Sequence, residues 1–414
     1  MRLARCSIVT LLAVVPLWSD AQPADASTAY AEFLQTVTSA PALTAAARRT
    51  LAARERIEAS GKLADLELEG MGSRMVGPMD ERATMWEVNV RQPLPKRGER
   101  AADRDRARAV VAMAEADYAL MAGEMAADVA MAIAEAAGAS ARIQLLETQI
   151  ARLDAVLRSV ESRIASGSGR IADRLTVQTR IADMQLMIEE ERRMSADALA
   201  EARARLGLAP DAPLPNFAAP LVDEIAPEDA AALQLAAART AEADAMVKMA
   251  QASARPMTAV GVRFEQERRP MGDENSLGLA FMTDIPFRSR RYARAESRAA
   301  EAERAAAQTD ATALRFRISA ALTRVDRAER LAATARKLSA DTLARLNAEY
   351  DSMVRSAGVG LGGAMGDSTV LQTVEILEKA TDTELQVIRA DTAVRTARAE
   401  LWRYVPASHF SINN

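Results

Sequence analysis

Apolar residues recur at alternating intervals of three and four between Arg97 and Leu206, a stretch that contains no proline. This spacing is typical of helices that pack in a coiled coil. In the first half of the stretch it is carried by Ile143, Leu146, Ile150, Leu153, Leu157, Val160 and Ile164. The serine and glycine residues at positions 166–169 offer a turn in the middle. We therefore predict two long helices that fold back on each other. A helix of about 60 residues reaches roughly 90 Å, which suits a tube or a spacer.

Four shorter stretches alternate between apolar and polar residues, the pattern of a β-strand with one apolar face. In the clearest of them, Trp86, Val88 and Val90 alternate with charged or amide side chains. We predict strands at about 63–75, 84–93, 257–267 and 276–286. A polar loop is expected between the last two strands, over residues 266–276.

The second half of the chain repeats the order of the first, which is helix, strand, strand, long helix, turn and long helix. Pro93-Leu94 matches Pro286-Phe287 at an offset of 193 positions. A near-constant offset indicates an internal duplication. The predicted division is a signal peptide over 1–21, an irregular segment over 22–40, a first repeat over 41–207, a proline-rich linker over 208–226, a second repeat over 227–405 and a tail over 406–414. The two helical turns are expected near 166–173 and 356–368.

Composition fits a mainly α-helical fold with a small β part. Apolar residues make up 49% of the 414 residues, whereas aromatic residues make up 4%. A net charge of −4, with both signs mixed along the helices, excludes the basic face that nucleic-acid binding needs. The chain has one Cys and one His, so thiol or histidine catalysis and a zinc site are poorly supported. We predict no enzyme activity, no cofactor and no metal site, and we interpret the 19 Met residues mainly as packing residues.

The N-terminus has the pattern of a cleaved signal peptide. Arg2 and Arg5 precede an apolar region that ends at Trp18, and small residues follow before Gln22. The apolar region is too short to cross a bilayer as a helix. Cys6 would leave with this peptide, so a lipidated mature N-terminus is not expected. The sequence therefore predicts export.

Four strands with one apolar face cannot close a barrel by themselves, and their open edges would be a liability in a soluble monomer. An exported protein can solve this if several chains each contribute four strands to one membrane barrel. We predict that aromatic side chains of the strands face lipid or form a girdle at its boundary. These residues are Trp86, Phe264, Phe281 and Phe287.

The signal peptide, the duplication, the strand-ending Pro93-Leu94-Pro95 and one turn pattern together resemble the TolC-type outer-membrane efflux proteins, a family with a heavy-metal efflux branch. The turn pattern consists of Arg163, Gly167, Asp173 and Leu175. The resemblance covers nearly the whole mature chain. It implies a homotrimer with a twelve-stranded barrel in outer-membrane lipid and an α-helical tunnel in the periplasm. It also implies a passive exit duct whose partners are a periplasmic adaptor and an inner-membrane pump of the resistance–nodulation–division (RND) type.

The same resemblance places adaptor docking and closure of the tunnel at the two helical tips. The four residues of the turn pattern match the first tip, although Asp173 can also be explained as an acid that stabilises a helix N-terminus. The second tip departs from the family, because a longer glycine-rich stretch runs from Gly358 to Asp367. Thr369 and Gln372 stand where well-studied members carry two aspartates around a Val-Leu pair. An aspartate gate of that type is therefore not expected here.

Two other functions remain open at this point. The exit channel of a type I secretion system shares the fold, and the sequence does not separate it from efflux. A periplasmic coiled-coil adaptor or scaffold would have one hairpin and a lipoyl-like β-domain, whereas this sequence predicts two hairpins and four membrane-type strands.

Overall fold

The computed structural model describes residues 23–76, 82–269, 272–284, 289–359 and 368–410. The predicted signal peptide, Phe287 and Asp367 lie outside these ranges. The elements are α1 (Pro23–Thr38), α2 (Pro41–Ala59), β1 (Glu67–Val76), β2 (Arg82–Leu94), α3 (Glu99–Ala165), α4 (Ile171–Leu206), α5 (Ala231–Ser253), β3 (Met257–Arg269), β4 (Gly272–Asp284), α6 (Ser289–Val359) and α7 (Ser368–Glu400). This order confirms the predicted fold class, with two helical hairpins and one four-stranded sheet.

The long helices form a layer in which α3 packs between α4 and α7, and α7 packs in turn on α6. Near the first turn, α3, α4 and α7 share one apolar cluster. Its buried members are Leu146, Leu153, Val177, Ile181, Met184, Ile188 and Val374. The alternating three-four spacing of α3 therefore serves two neighbours, since the same cluster joins the first hairpin to the second.

Small residues dominate the opposite half of α3, where the helices come closest. Ala122, Ala126 and Ala130 are fully buried in the largest apolar cluster. A Cβ atom on Gly123 would lie 2.6 Å from the backbone oxygen of Trp402. By length and composition α3 also contains a segment apolar enough to cross a membrane, but half of that segment is buried against the protein. We attribute its apolar character to packing.

The sheet has the order β1-β2-β3-β4, and each neighbouring pair is antiparallel. The polar loop expected over 266–276 is wrong, because β3 runs to Arg269 and β4 begins at Gly272. The polar residues of this segment are paired, with Glu267 opposite Glu274. Because the side chains of this segment are polar or charged, a search for alternating apolar residues does not detect the two strands here.

The predicted irregular segment over 22–40 is also wrong, because residues 23–38 form α1. The aromatic rings of Tyr30 and Phe33 lie 5.2 and 5.4 Å from the ring of Trp402, measured between centroids. The C-terminal residues join the same cluster, since Phe410 is buried and the Tyr30 hydroxyl lies 3.1 Å from Nδ1 of His409. The helix and the tail are thus ordered by a contact between distant parts of the sequence.

The proline-rich linker between the repeats runs from Gly207 to the short 3-10 turn at Val222–Glu224. The buried Trp402 donates its indole N–H to the carbonyl oxygen of Ala218 at 3.0 Å. The helix that precedes the second tip continues through Gly358 to Val359, into the range 356–368 where the turn was expected.

Candidate functional site: the amphipathic sheet and the helical tips

One face of the sheet is apolar and exposed. The strand registers place Leu68, Val90, Val262 and Leu279 in one row across all four strands. Val88, Phe264 and Leu277 form the next row, and Phe281 lies beside Val260 in another. The exposed fractions on β4 reach 75% for Leu277, 89% for Leu279 and 73% for Phe281.

The apolar face is exposed and continuous across all four strands, which a monomeric water-soluble protein rarely shows. Trp86 is exposed on it and lies against Gly72, where an added Cβ would meet the indole ring at 3.1 Å. Both edges of the sheet are open, because β1 and β4 each pair with one strand among the described residues. A lipid environment and further strands would satisfy both features.

The opposite face of the sheet is charged. Arg91 of β2 reaches Glu69 at 3.0 Å and Glu67 at 3.6 Å, both on β1. Gly261 lies opposite Arg91, and an added Cβ there would stand 2.5 Å from the carbonyl oxygen of Val90 and 2.9 Å from Cγ of Arg91. The glycine therefore leaves the room in which the arginine side chain crosses the sheet.

A second arginine has the same arrangement on the next strand. Glu87 of β2 and Glu265 of β3 are register partners, so their like charges face each other. The guanidinium group of Arg263 lies 2.8 Å from Glu87 and 3.4 Å from Glu265. Each of the two arginines is thus shared by two carboxylates, and the sheet has one lipid-compatible face and one hydrated face.

The first helical tip is a tight turn built on glycine. Gly167 adopts a φ of 78°, a left-handed conformation that favours glycine. The carbonyl oxygen of Arg163 accepts the backbone N–H of Ser168 at 2.9 Å and its hydroxyl at 3.2 Å. A Cβ on Gly169 would lie 2.7 Å from the backbone nitrogen of Ile164. The predicted residues Arg163 and Gly167 therefore hold the turn with their backbone.

The other two predicted residues of this tip lie in the first turns of α4. Asp173 is only 8% exposed, at the end of the helix where its dipole favours a negative charge. Leu175 and Ile171 are more than half exposed and present an apolar surface beside the turn. The roles of these residues in docking and closure stay predictions.

The second tip is described only in part. Gly358 lies within α6, and Thr369 lies in the first turn of α7. Gln372 is exposed one turn further along, next to the exposed Leu371. An ion pair of 2.6 Å between Arg180 of α4 and Glu378 of α7 ties this region to the first hairpin.

The two arginine-centred groups on the sheet were not predicted from the sequence, and neither was one buried ion pair between the hairpin helices. Arg142 of α3 binds Glu191 of α4 through two hydrogen bonds of 2.8 and 2.7 Å. The alternation in the strands placed the charges on one face, but the pairings depend on registers between strands that are distant in sequence. Among the described residues, no group of three or more His, Cys, Asp or Glu is placed to hold a metal ion.

Comparisons with known proteins agree with this geometry. Residues 35–209 match the family described as outer membrane efflux protein. The fold is similar to VceC, an outer membrane protein from Vibrio cholerae, with a TM-score of 0.72, 15% identity and coverage of 92% of this chain and 96% of that chain. It is also similar to a membrane protein from Pseudomonas aeruginosa (0.70, 18%, 91% and 90%) and to the open state of the MtrE outer membrane channel from Neisseria gonorrhoeae (0.63, 15%, 90% and 88%). No curated protein matches the chain by sequence.

Proposed function

We propose that this chain is the outer-membrane channel subunit of a tripartite efflux system, and two findings support this: the match of residues 35–209 to the outer membrane efflux protein family and the similarity of the fold to outer membrane channels. Three copies would close a twelve-stranded barrel in the outer membrane above a tunnel of twelve helices. The channel is a passive exit duct. Energy comes from an inner-membrane pump of the RND type, and a periplasmic adaptor connects that pump to the helical tips.

The observation that carries this proposal is the sheet with two different faces and two free edges. Its apolar side chains suit contact with lipid, and its charged side chains suit a water-filled lumen. Closing the edges with strands of further copies satisfies every backbone group inside the bilayer. No catalytic constellation is needed for such a function.

The two long hairpins argue against a periplasmic adaptor, which would need only one. A secretion exit channel would share the architecture, and it would differ in the pump that engages the tips. Copurification of the partners from the native envelope separates the two, because efflux requires an RND-type pump and type I secretion an ATP-driven exporter.

Two substitutions on adjacent residues of β4 test the membrane barrel. Leu277 lies on the apolar face and Ser276 on the charged face. Leu277→Asp should lower the amount of trimer in the outer-membrane fraction, because a charged side chain on the lipid face of a barrel is destabilising. Ser276→Asp should leave the amount unchanged. The readouts are cell fractionation and the detergent-corrected mass from light scattering.

A monomeric mass for the unsubstituted protein, or its recovery in the soluble periplasm, would contradict the proposal. Equal effects of the two substitutions would show that the apolar face does not contact lipid.

Cysteine cross-linking tests adaptor docking at the first tip, since the predicted mature chain contains no other cysteine. Ser168→Cys places an exposed thiol on the turn, and Glu55→Cys places a matched exposed thiol on α2. We expect a cross-link to the adaptor from position 168 and none from position 55. The reverse pattern would move the docking site away from the tip.

A further inference from the structure

The end of the sheet that adjoins the helices is rich in positive charge. We define the boundary zone as the described connections at this end together with the two adjoining turns of α2, α3, α5 and α6, which are residues 53–66, 95–105, 247–256 and 289–295. The zone contains twelve Lys or Arg residues and six Asp or Glu residues. Its net charge is +6, or +5 if Asp284 at the end of β4 is included, although the whole chain has a net charge of −4.

Most of these cations are not neutralised by carboxylates. Within the described part of the chain, only Arg54 and Lys248 of the twelve form ion pairs with acidic side chains. The side chains of Lys96, Arg100 and Arg255 instead donate to backbone carbonyl oxygens at 2.8, 2.7 and 2.6 Å. A carbonyl oxygen orients a cation but does not cancel its charge, so these three charges remain available to an anion.

Three further arginines lie where helix stability alone would not place them. Arg290, Arg291 and Arg294 are exposed in the first two turns of α6, and the first turn of this helix contains no acidic residue. The helix dipole favours negative charge at an N-terminus and disfavours positive charge there. These arginines therefore indicate an interaction outside the helix.

Exposed apolar side chains accompany the cations of the boundary zone. Tyr292 is 70% exposed among the three arginines of α6, and Leu63 and Leu66 are 51% and 65% exposed just before β1. Leu66 precedes Leu68 by two positions and so continues the alternation of the apolar face. Long cationic side chains beside exposed aromatic and aliphatic residues are typical of the interface between membrane and water.

We propose that the boundary zone binds the anionic headgroups of phospholipids in the leaflet that faces the periplasm, with the acyl chains lying along the apolar face of the sheet. The inference rests on the proposed function, because the zone lies at the depth of the headgroups only when the barrel spans the membrane. A guanidinium group can donate two parallel hydrogen bonds to one phosphate. The excess positive charge favours phosphatidylglycerol over phosphatidylcholine, whose own ammonium group cancels the charge of its phosphate.

The test measures which lipids stay bound to the purified trimer. The trimer is reconstituted in vesicles of equal parts phosphatidylglycerol and phosphatidylcholine, extracted again in mild detergent, and its retained lipids are quantified by mass spectrometry. We expect phosphatidylglycerol to be enriched about fivefold at low salt, the effect of one cation near an anionic surface. A wash near 1 M salt, where the Debye length falls to about 3 Å, should remove most of the enrichment. The variant Arg290→Gln, Arg291→Gln and Arg294→Gln should also lose most of it.

The matched control substitutes three exposed arginines of the same helix, Arg317→Gln, Arg327→Gln and Arg345→Gln, which lie at least about 40 Å further along α6. This variant should keep the enrichment. The mass of each protein is checked first by light scattering, and the absence of a trimer from the unsubstituted protein would count against the proposed function itself. A trimer that retains both lipids equally, or equal losses in the two variants, would overturn only the present inference. If the boundary variant does not form a trimer, the enrichment in the unsubstituted trimer and its loss at high salt decide.

Discussion

The buried ion pair between Arg142 and Glu191 should control the stability of the first hairpin. Its two hydrogen bonds join α3 to α4 in a parallel, bidentate arrangement. The side chains are 11% and 16% exposed, so neither charge is well solvated if its partner is removed. We predict that Arg142→Met destabilises the protein by about 3 kcal/mol, the lower end of the range for breaking a buried pair.

The double substitution Arg142→Met with Glu191→Met should restore most of this loss. It removes both charges and leaves two apolar side chains between helices that already pack through apolar clusters, a replacement that is often neutral. A strongly negative coupling between the single and double variants is therefore expected.

Arg192 provides the matched control on the same two helices. It pairs with Glu147 at 2.9 Å, but the two side chains are 52% and 51% exposed. Arg192→Met should cost at most about 1 kcal/mol, because water solvates the carboxylate that is left.

The assay is urea unfolding in detergent, followed by the helical circular dichroism signal. Urea is preferred because it does not screen ion pairs as guanidinium does. Equal midpoints for the Arg142 and Arg192 variants would refute the reasoning from burial. A double variant as unstable as the sum of the two single variants would show that apolar side chains cannot replace the pair.

Three further changes test other parts of the structure. Gly123→Ala should lower stability by roughly 1–3 kcal/mol in thermal melting, because its Cβ meets the backbone of Trp402, whereas Gly278→Ala has open space and should be neutral. Trp402→Phe removes the hydrogen bond to Ala218 and should expose the linker to limited proteolysis, with the helical signal retained. Burial raises the pKa of the Glu384 carboxyl, so its contribution favours folding at low pH and is lost as pH rises through the raised pKa. Glu384→Gln should therefore raise the melting temperature at about pH 7.5 and leave it almost unchanged at about pH 4.

Local periodicity was enough to predict the long helices, the sheet strands and their internal duplication. The residues that set the coiled-coil spacing, such as Leu146, Leu153 and Val160, are buried between helices. Trp86 and Phe264 lie on the exposed apolar face that the alternation indicated. These features depend on neighbours three, four or two positions away, so the sequence contains them directly.

The errors arose where contacts between distant positions decide the structure. The helix α1 has aromatic residues that pack only when Trp402, more than 360 positions away, is in place. The polar end of the β3–β4 hairpin is stabilised by strand pairing, although its charged side chains hide the strand pattern. Likewise, the arginine-centred groups on the charged face require the register between β2 and the two strands beside it.

The internal duplication also predicts how copies of the chain meet. Within one chain the two repeats contact each other through β2 with β3 and through α3 with α7. In the repeat, β4 corresponds to β2, β1 to β3, α6 to α3 and α4 to α7.

If the contact between repeats is copied between chains, β4 pairs with β1 of the next copy, and α6 packs on its α4. These are the elements that end the sheet and the helical layer, and α4 and α6 carry the exposed apolar residues Leu186, Phe316 and Leu331. Because the two edges differ, this contact is head-to-tail, and it forms a ring if the rotation between copies closes. One rule of packing would then account for both the barrel and the tunnel of the proposed channel.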